Sequence, residues 1–481
     1  MSESKAQMFV DGAWTASLSG ETFTASSPAT GEAIGEVPQG DRADAVRAIE
    51  AANRAADAWA ALSPFDRAAA LNRVAEAVES RREALAHTLT LDQGKPISES
   101  RGEVEELVQY WHNAAEDGKR LEGRLANSTS AAKKVLLFRR PRGVIGVITP
   151  WNWPYTMPAE LIAPALAAGN AVVWTPASTT AIAAAALAEC VAEADLPAGV
   201  FNLVTGPGRT VGDEIARNPG THGVGFVGST ETGRKVAEAA AGKAAVLELG
   251  GNGPIVVLED ADLDLSAEAT VTACFLCAGQ SCTAGERLLV HRDVRDEFVA
   301  RLAQLVPQRA VLGDPFADAT TMGPLNNEGV AEKMDEHVAD ALERGATVVS
   351  GGARADGFPT PLYWEATVLD GVSPDALVAQ EETFGPVAPV VAVDSLDHAI
   401  ELTNASPYGL LSAIFTRDLA KGLRFADRAK TGWVNINESS NYWETHLPFG
   451  GRSGTASGIG RVGGTAPLEA FSELQTVVIS G

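Results

Sequence analysis

Val144-Ile-Gly-Val-Ile148, Ala171-Val-Val-Trp174, Val200-Phe-Asn-Leu-Val204 and Val224-Gly-Phe-Val227 are short apolar runs strung along one stretch of the chain. Each is too short for a buried helix and rich in β-branched residues, so each reads as a strand. Residues 180–193 and 210–216, which lie between them, carry helical patterns. Strands that alternate with helices predict a parallel sheet of the doubly wound type, covered on both faces.

Working outward, residues 43–111 are Ala-rich with charges at helical spacing. The segment Lys134-Val-Leu-Leu-Phe-Arg-Arg140 is β-like and follows a polar Asn-Ser-Thr-Ser turn. A second strand–helix series begins at Pro254 and includes Glu286-Arg-Leu-Leu-Val-His291 and Ala388-Pro-Val-Val-Ala-Val393. The expected fold class is therefore α/β, with two doubly wound parallel-sheet lobes meeting near Leu249-Gly-Gly-Asn-Gly-Pro254. The tail Leu474-Gln-Thr-Val-Val-Ile479 reads as a strand suited to pairing with another chain's sheet edge.

A length of 481 residues exceeds one simple core and predicts two or three domains. Acidic residues outnumber basic ones, 62 to 38, for a net charge of −24. That field repels nucleic acid and anionic membranes, so neither is expected as a partner. The start, Met1-Ser-Glu-Ser-Lys-Ala, shows no secretory signal, and no apolar run reaches the roughly 18 residues of a membrane span. Four cysteines in so long a chain form no disulfide scaffold, and a cytoplasmic home is expected. Cys274 and Cys277 have the spacing of half a zinc site, but no second Cys pair or nearby His follows, so no metal is expected.

Chemistry is suggested at several places. Cys282, in Gly279-Gln-Ser-Cys-Thr-Ala-Gly-Glu-Arg287, stands among small and polar residues before a strand. A lone cysteine is more often a small buried hydrophobe, and a nucleophile requires a base or a lowered pKa. Glu248, in an apolar strand before two glycines, suits a general base if buried and a solvated strand end if not. Gly206-Pro-Gly208-Arg209-Thr-Val-Gly212 and Phe226-Val-Gly228-Ser229 both lie between strand and helix. Glycine turns of this kind serve phosphate binding or structure equally well. Asn152, in Thr149-Pro-Trp-Asn-Trp-Pro154, sits just past a strand's carboxyl end, where its amide can meet a developing oxyanion.

Taken in order, Pro150-Trp-Asn152-Trp-Pro154, Phe226-Val-Gly-Ser-Thr-Glu-Thr-Gly233, Glu248-Leu-Gly-Gly251, Gly279-Gln-Ser-Cys282, Glu382-Thr-Phe384-Gly-Pro-Val387 and Pro448-Phe-Gly-Gly451 resemble the aldehyde dehydrogenase superfamily over essentially the whole chain. The resemblance implies oxidation of an aldehyde to its acid with NAD or NADP. Cys282 would attack the carbonyl, Asn152 and the Cys282 backbone N–H would hold the oxyanion, and Glu248 would activate water to hydrolyse a thioester. It further implies that Glu382 and Phe384 position the nicotinamide half, that Gly228 and Ser229 take the pyrophosphate, and that Ile148, Thr149, Pro150, Trp151, Thr175, Ser178, Gly208, Arg209, Gly212, Phe226, Leu249 and Gly250 complete the cofactor site. Glu248 favours hydrolysis over transfer to coenzyme A, since acylating relatives generally lack that glutamate.

By the same resemblance, residues 1–123 and 143–249 form a cofactor domain and 250–445 a catalytic domain. Residues 124–142 and 465–481 form an oligomerising arm, 446–464 return to the cofactor domain, and a homodimer or homotetramer is implied. The chain departs from its relatives at Thr175, where they carry lysine, and at Ser178, where NAD users often carry glutamate. The lost acid at Ser178, with Arg209 near the glycine turn, favours NADP or dual use, while the missing lysine at Thr175 removes an expected ribose or phosphate contact. Leu161 and Val462 replace a lysine and a glutamate, which puts any proton relay through them in doubt, and Asn252 replaces a common lysine.

The loop 438–446, with Tyr442, Trp443 and His446, would face the substrate, opposite Trp153, Tyr155, Met157 and Glu160, with Ser281 and Thr283 beside Cys282. The aromatics suggest an aromatic or medium apolar aldehyde; His446 and Arg452 suggest an anionic one. Two further readings are a cysteine-dependent esterase or thioesterase and a non-enzymatic, crystallin-like homologue. The first leaves the glycine turns, Glu382 and Phe384 without a purpose; the presence of Cys282, Glu248 and Asn152 argues against the second.

Overall fold

The computed structural model describes residues 4–480. Its first large sheet runs Gly458–Ile459, Ala244–Glu248, Gly223–Val227, Val144–Ile148, Ala171–Thr175, Phe201–Leu203, Met8–Val10, Ala13–Thr15. The five central strands are parallel, and antiparallel strands finish both edges. Chain order reverses between Val144–Ile148 and Gly223–Val227, so the sheet has a switch point there, with a crevice outside the strands' carboxyl ends. All five residues of Gly223–Val227 are buried, as a strand covered on both faces requires.

The second sheet, in order, is Thr347–Ser350, Thr367–Asp370, Val387–Val393, Gly285–His291, Gly253–Val257, Leu411–Phe415, Trp433–Ile436, parallel except at its first strand. Each large sheet has its own apolar core. Two small sheets complete the fold. One holds Ser4–Lys5, Ala33–Pro38 and Thr22–Ser26; the other holds Ser472–Ser480, Lys133–Pro141 and Arg124–Ala126. Among the described residues no helix is long and apolar enough to cross a membrane.

Three details differ from the sequence reading. The helical stretch from residue 43 is four helices, Arg42–Ala60, Pro64–Ser80, Arg82–Gln93 and Ile97–Gly118. Ser63 caps one of them with Pro64 at its first position, and Gly94 ends another in the left-handed conformation. In place of one helix over 210–216, a wide turn, Gly208–Gly212, runs into the short helix Asp213–Arg217. The tail strand pairs within its own chain, antiparallel to Lys133–Pro141 from Ser472↔Pro141 to Ser480↔Lys133.

Candidate active site

Three segments deliver Asn152, Glu248 and Cys282 to one place. Asn152 follows Val144–Ile148 at the switch point, and Glu248 is the last residue of Ala244–Glu248. Cys282 comes from the other lobe, in the turn before Gly285–His291. That turn enters through Cys277 and Ala278, both at φ 53°, a conformation non-glycine residues avoid. The strain is held from outside: the Glu99 carboxylate accepts the Cys277 N–H, and the Asn152 amide donates to the Gln280 carbonyl at 3.0 Å. The Asn152 Nδ2 group thus keeps a second hydrogen for the cavity it lines.

The Glu248–Leu–Gly–Gly run makes sense as a close passage. A side chain at Gly250 would come within 2.5 Å of the Glu382 carboxylate, and one at Gly251 within 2.5 Å of the Cys282 carbonyl oxygen. The Gly251 N–H donates to Glu382 Oε1 at 2.8 Å, leaving Oε2 without a hydrogen bond from a described residue. Glycine is the residue that admits both approaches.

Two cavities meet here. A cleft of about 810 Å³ is lined by Pro150, Trp151, Gly228, Ser229, Leu249, Gly250, Glu382 and Phe384. Trp151 and Phe384 meet edge-on at 5.6 Å on its wall. Ser229, on the wall of this cleft, caps the helix Thr230–Ala239, so the start of that helix lies beside it. A narrower cavity is lined by Tyr110, Trp153, Met157, Glu160, Ser281, Thr283, Trp443 and Phe449, among others. Glu248, Cys282 and Met157 belong to both.

Burial dominates the electrostatics. It pushes the Cys282 thiol well above its usual range, and the charges of Glu248 and Glu382 add to the rise. Glu248 is also pushed well up, by burial and then by Glu160, while the Cys282 thiol pulls it down. Its Oε1 is buried with no hydrogen-bond partner among the described residues, which leaves an acceptor for a water.

The aldehyde dehydrogenase family model matches residues 14–477. The chain belongs to the aldehyde dehydrogenase family. It is 39% identical over 480 residues to a glutarate-semialdehyde dehydrogenase of Pseudomonas aeruginosa, covering 99% of this chain and 98% of that one. It is 38% identical over 475 residues to the NADP(+) succinate-semialdehyde dehydrogenase of Escherichia coli, covering 98% of this chain and 97% of that one. The crystal structure of an NAD-dependent aldehyde dehydrogenase from Sinorhizobium meliloti superposes with a TM-score of 0.96 at 36% identity, over 99% of this chain and 95% of that one. As an aldehyde dehydrogenase the protein oxidises an aldehyde to its carboxylic acid with NAD or NADP.

Not every residue singled out in the sequence reaches these cavities. Tyr155 is wholly buried in the core, and its hydroxyl donates to the Leu85 carbonyl, away from the substrate cavity. Tyr442 is 46% exposed and hydrogen-bonds Glu444. His446 lies outside with its ring 3.4 Å from Glu444, and Arg452 is exposed too. Phe226 does not line the cleft; its ring packs beneath Gly228 so closely that a side chain there would meet it at 2.7 Å. Ile148, Thr175 and Gly212 adjoin one another beyond the cleft, where Thr149 N–H donates to the Thr175 carbonyl. There Ser178 donates to the Gly206 carbonyl, and exposed Arg209, beside Gly208, makes no ion pair with a described residue.

Several further residues shape the site without having been assigned a role in it from the sequence. Glu286 accepts the N–H groups of Thr383 and Phe384 at 2.8 and 2.7 Å, fixing Phe384 at φ 60°. An acid inside the apolar strand Gly285–His291 was the available hint. Asn252 donates to the Glu381 carbonyl, tying the same loop to the glycine passage. Lys95 and Glu103, both fully buried, pair at 2.7 Å, and Glu103 also accepts the Tyr155 and Thr156 N–H groups. Leu161 and Val462, where relatives carry charge, are both buried apolar side chains.

Proposed function

We propose that Cys282 is the nucleophile, Asn152 an oxyanion donor and Glu248 the base that activates water. The observation carrying this reading is the joint exposure of Cys282 and Glu248 to both cavities, with the Asn152 amide fixed on Gln280 beside them. The Cys282 sulfur adds to the aldehyde carbon, and the oxyanion is held by the second Asn152 Nδ2 hydrogen and the Cys282 backbone N–H. NAD(P), when bound, supplies the acceptor for the hydride that leaves that carbon. Glu248 Oε1 then takes a proton from a water that attacks the resulting thioester, and the acid departs as the thiol is restored.

The large cleft suits a dinucleotide. It opens at the sheet's switch point, the start of a helix lies beside it at Ser229, and Glu382 Oε2, with no hydrogen bond from a described residue, is available to a ribose hydroxyl. Thr175, Ser178 and Arg209, with no acid among them, support NADP or dual use, the phosphate falling to Arg209. Arg209→Ala should then lower kcat/KM for NADP more than for NAD. Equal losses for both cofactors exclude that contact.

The sheet of Arg124–Ala126, Lys133–Pro141 and Ser472–Ser480 leaves Leu125, Phe138, Leu474, Val478 and Ile479 exposed. This supports an arm of 124–142 and 465–481 that joins subunits into a homodimer or homotetramer. The remaining division is a cofactor domain of 1–123, 143–249 and 446–464 beside a catalytic domain of 250–445. The central test is a panel of aldehydes with NAD and NADP, read as reduced nicotinamide. Absence of that signal with every aldehyde, from folded protein with a titratable Cys282, defeats the reading. The glutarate and succinate semialdehydes of the named relatives belong in the panel, although no lysine, arginine or histidine lines the substrate cavity.

A further inference from the structure

The substrate cavity is acidic and aromatic at once. Glu160, Glu248 and Glu444 line it with Trp153, Trp443 and Tyr110, and no cationic side chain lines it. Trp153 and Trp443 meet edge-on at 6.1 Å, so the two indoles form a corner. The one lysine against this wall, Lys95, lies on the Trp153 ring at 3.7 Å, fully buried and neutralised by Glu103. It takes no part in lining the cavity.

Glu160 is the unexpected member. It is 6% exposed, and its only hydrogen-bond partner among the described residues is the Tyr110 hydroxyl, which bonds Oε1. Oε2 has no hydrogen bond from a described residue and belongs to the cavity-lining carboxyl. Burial pushes this carboxyl up to about 8, with the Tyr110 hydroxyl pulling down and Glu106 adding to the rise. A buried carboxylate is costly without a counter-charge, and no protein cation supplies one here. Beyond Trp443, Glu444 and Thr445 a shallower cleft adds Glu105 and Glu106, and its His446 already lies against Glu444.

We propose that the preferred substrate is an aldehyde bearing a cationic amine at the far end of its chain, with the ammonium at Glu160 and its alkyl groups against the Trp153–Trp443 corner. This rests on the dehydrogenase reading and names its substrate class. The aromatic faces favour a cation, the ammonium supplies the counter-charge that Glu160 lacks, and Glu444 with the outer acids draws cations inward. The same acids repel a terminal carboxylate.

The test uses three aldehydes with one trimethylene spacer, ending in a dimethylammonium, an isopropyl or a carboxylate group. The tertiary amine cannot close to a cyclic imine, and the isopropyl compound is its uncharged isostere. Wild-type kcat/KM should be highest for the ammonium compound, exceeding the isopropyl compound by roughly tenfold to a hundredfold, the span of one hydrogen bond to a charged group. Glu160→Gln should bring that ratio towards one. Isopropyl turnover that equals or exceeds ammonium turnover overturns the proposal and leaves the dehydrogenase intact, as does preference for the carboxylate. Silence from all three while another aldehyde of the panel is turned over also overturns the proposal; silence from the whole panel defeats the dehydrogenase reading itself. Should Glu160→Gln not fold, the wild-type order alone decides.

Discussion

Glu248 and Cys282 come from different lobes, yet both face the cofactor cleft and the substrate cavity. Each bears on the other's proton. The Glu248 charge opposes a thiolate at Cys282, while the thiol stabilises the Glu248 carboxylate. Burial raises both groups in the cofactor-free enzyme, and nucleophile and base share one buried junction.

Alkylation of Cys282 in the cofactor-free enzyme follows from that. A raised thiol is protonated at neutral pH, and its thiolate fraction grows about tenfold per pH unit below the pKa. Iodoacetamide labelling at Cys282 should still be climbing at pH 9, the ordinary thiol value. A plateau near neutrality, followed by mass spectrometry, contradicts the geometry.

Asn152→Ala should lower kcat by about a hundredfold to a thousandfold, the cost of one oxyanion donor. It also frees the Gln280 carbonyl that braces the strained turn at Cys277 and Ala278. Steady-state kinetics showing a KM change alone, with kcat intact, exclude the oxyanion role.

Gly250→Ala and Gly251→Ala should separate two functions. The first drives a methyl into the Glu382 carboxylate, the second into the Cys282 carbonyl. Gly250→Ala should weaken NAD(P) binding by titration, and Gly251→Ala should lower kcat. Two fully active variants show the passage is looser than the geometry states.

Lys95→Met should destabilise the fold by about 3–5 kcal/mol, because it leaves the Glu103 charge buried and unpaired. Adding Glu103→Leu should recover only part, since Glu103 also accepts the Tyr155 and Thr156 N–H groups. Denaturant unfolding of both variants measures this. Full recovery means Glu103 serves Lys95 alone.

Glu160 sets a pH dependence of stability. Its carboxyl moves from 4.5 to about 8 on folding, so the folded state binds the proton more tightly. The contribution is complete below pH 4.5 and fades as pH rises through about 8. Relative to wild type, Glu160→Gln should gain stability between pH 5 and pH 9. A constant difference, measured by thermal unfolding across that range, contradicts the shift.

Much of this was readable from local patterns. Apolar runs such as Val144–Ile148 and Gly223–Val227 mark buried parallel strands whatever their neighbours. Their order was not readable, since reversal at the switch point is a matter of which strands pair. The same limit governs the site. Asn152, Glu248 and Cys282 stand out by local chemistry, whereas Glu286 and Glu99 act on loops far away in sequence. Tyr155 shows the converse: it is three residues from Asn152, but the turn sends its ring into the core.

The most direct test is intact-protein mass spectrometry of Glu248→Gln after mixing with NAD(P) and an aldehyde that wild type turns over. One acyl group should accumulate on Cys282, with one equivalent of reduced cofactor released per site and slow turnover afterwards. An unmodified Cys282 alongside wild-type steady-state turnover contradicts the assignment of nucleophile and base.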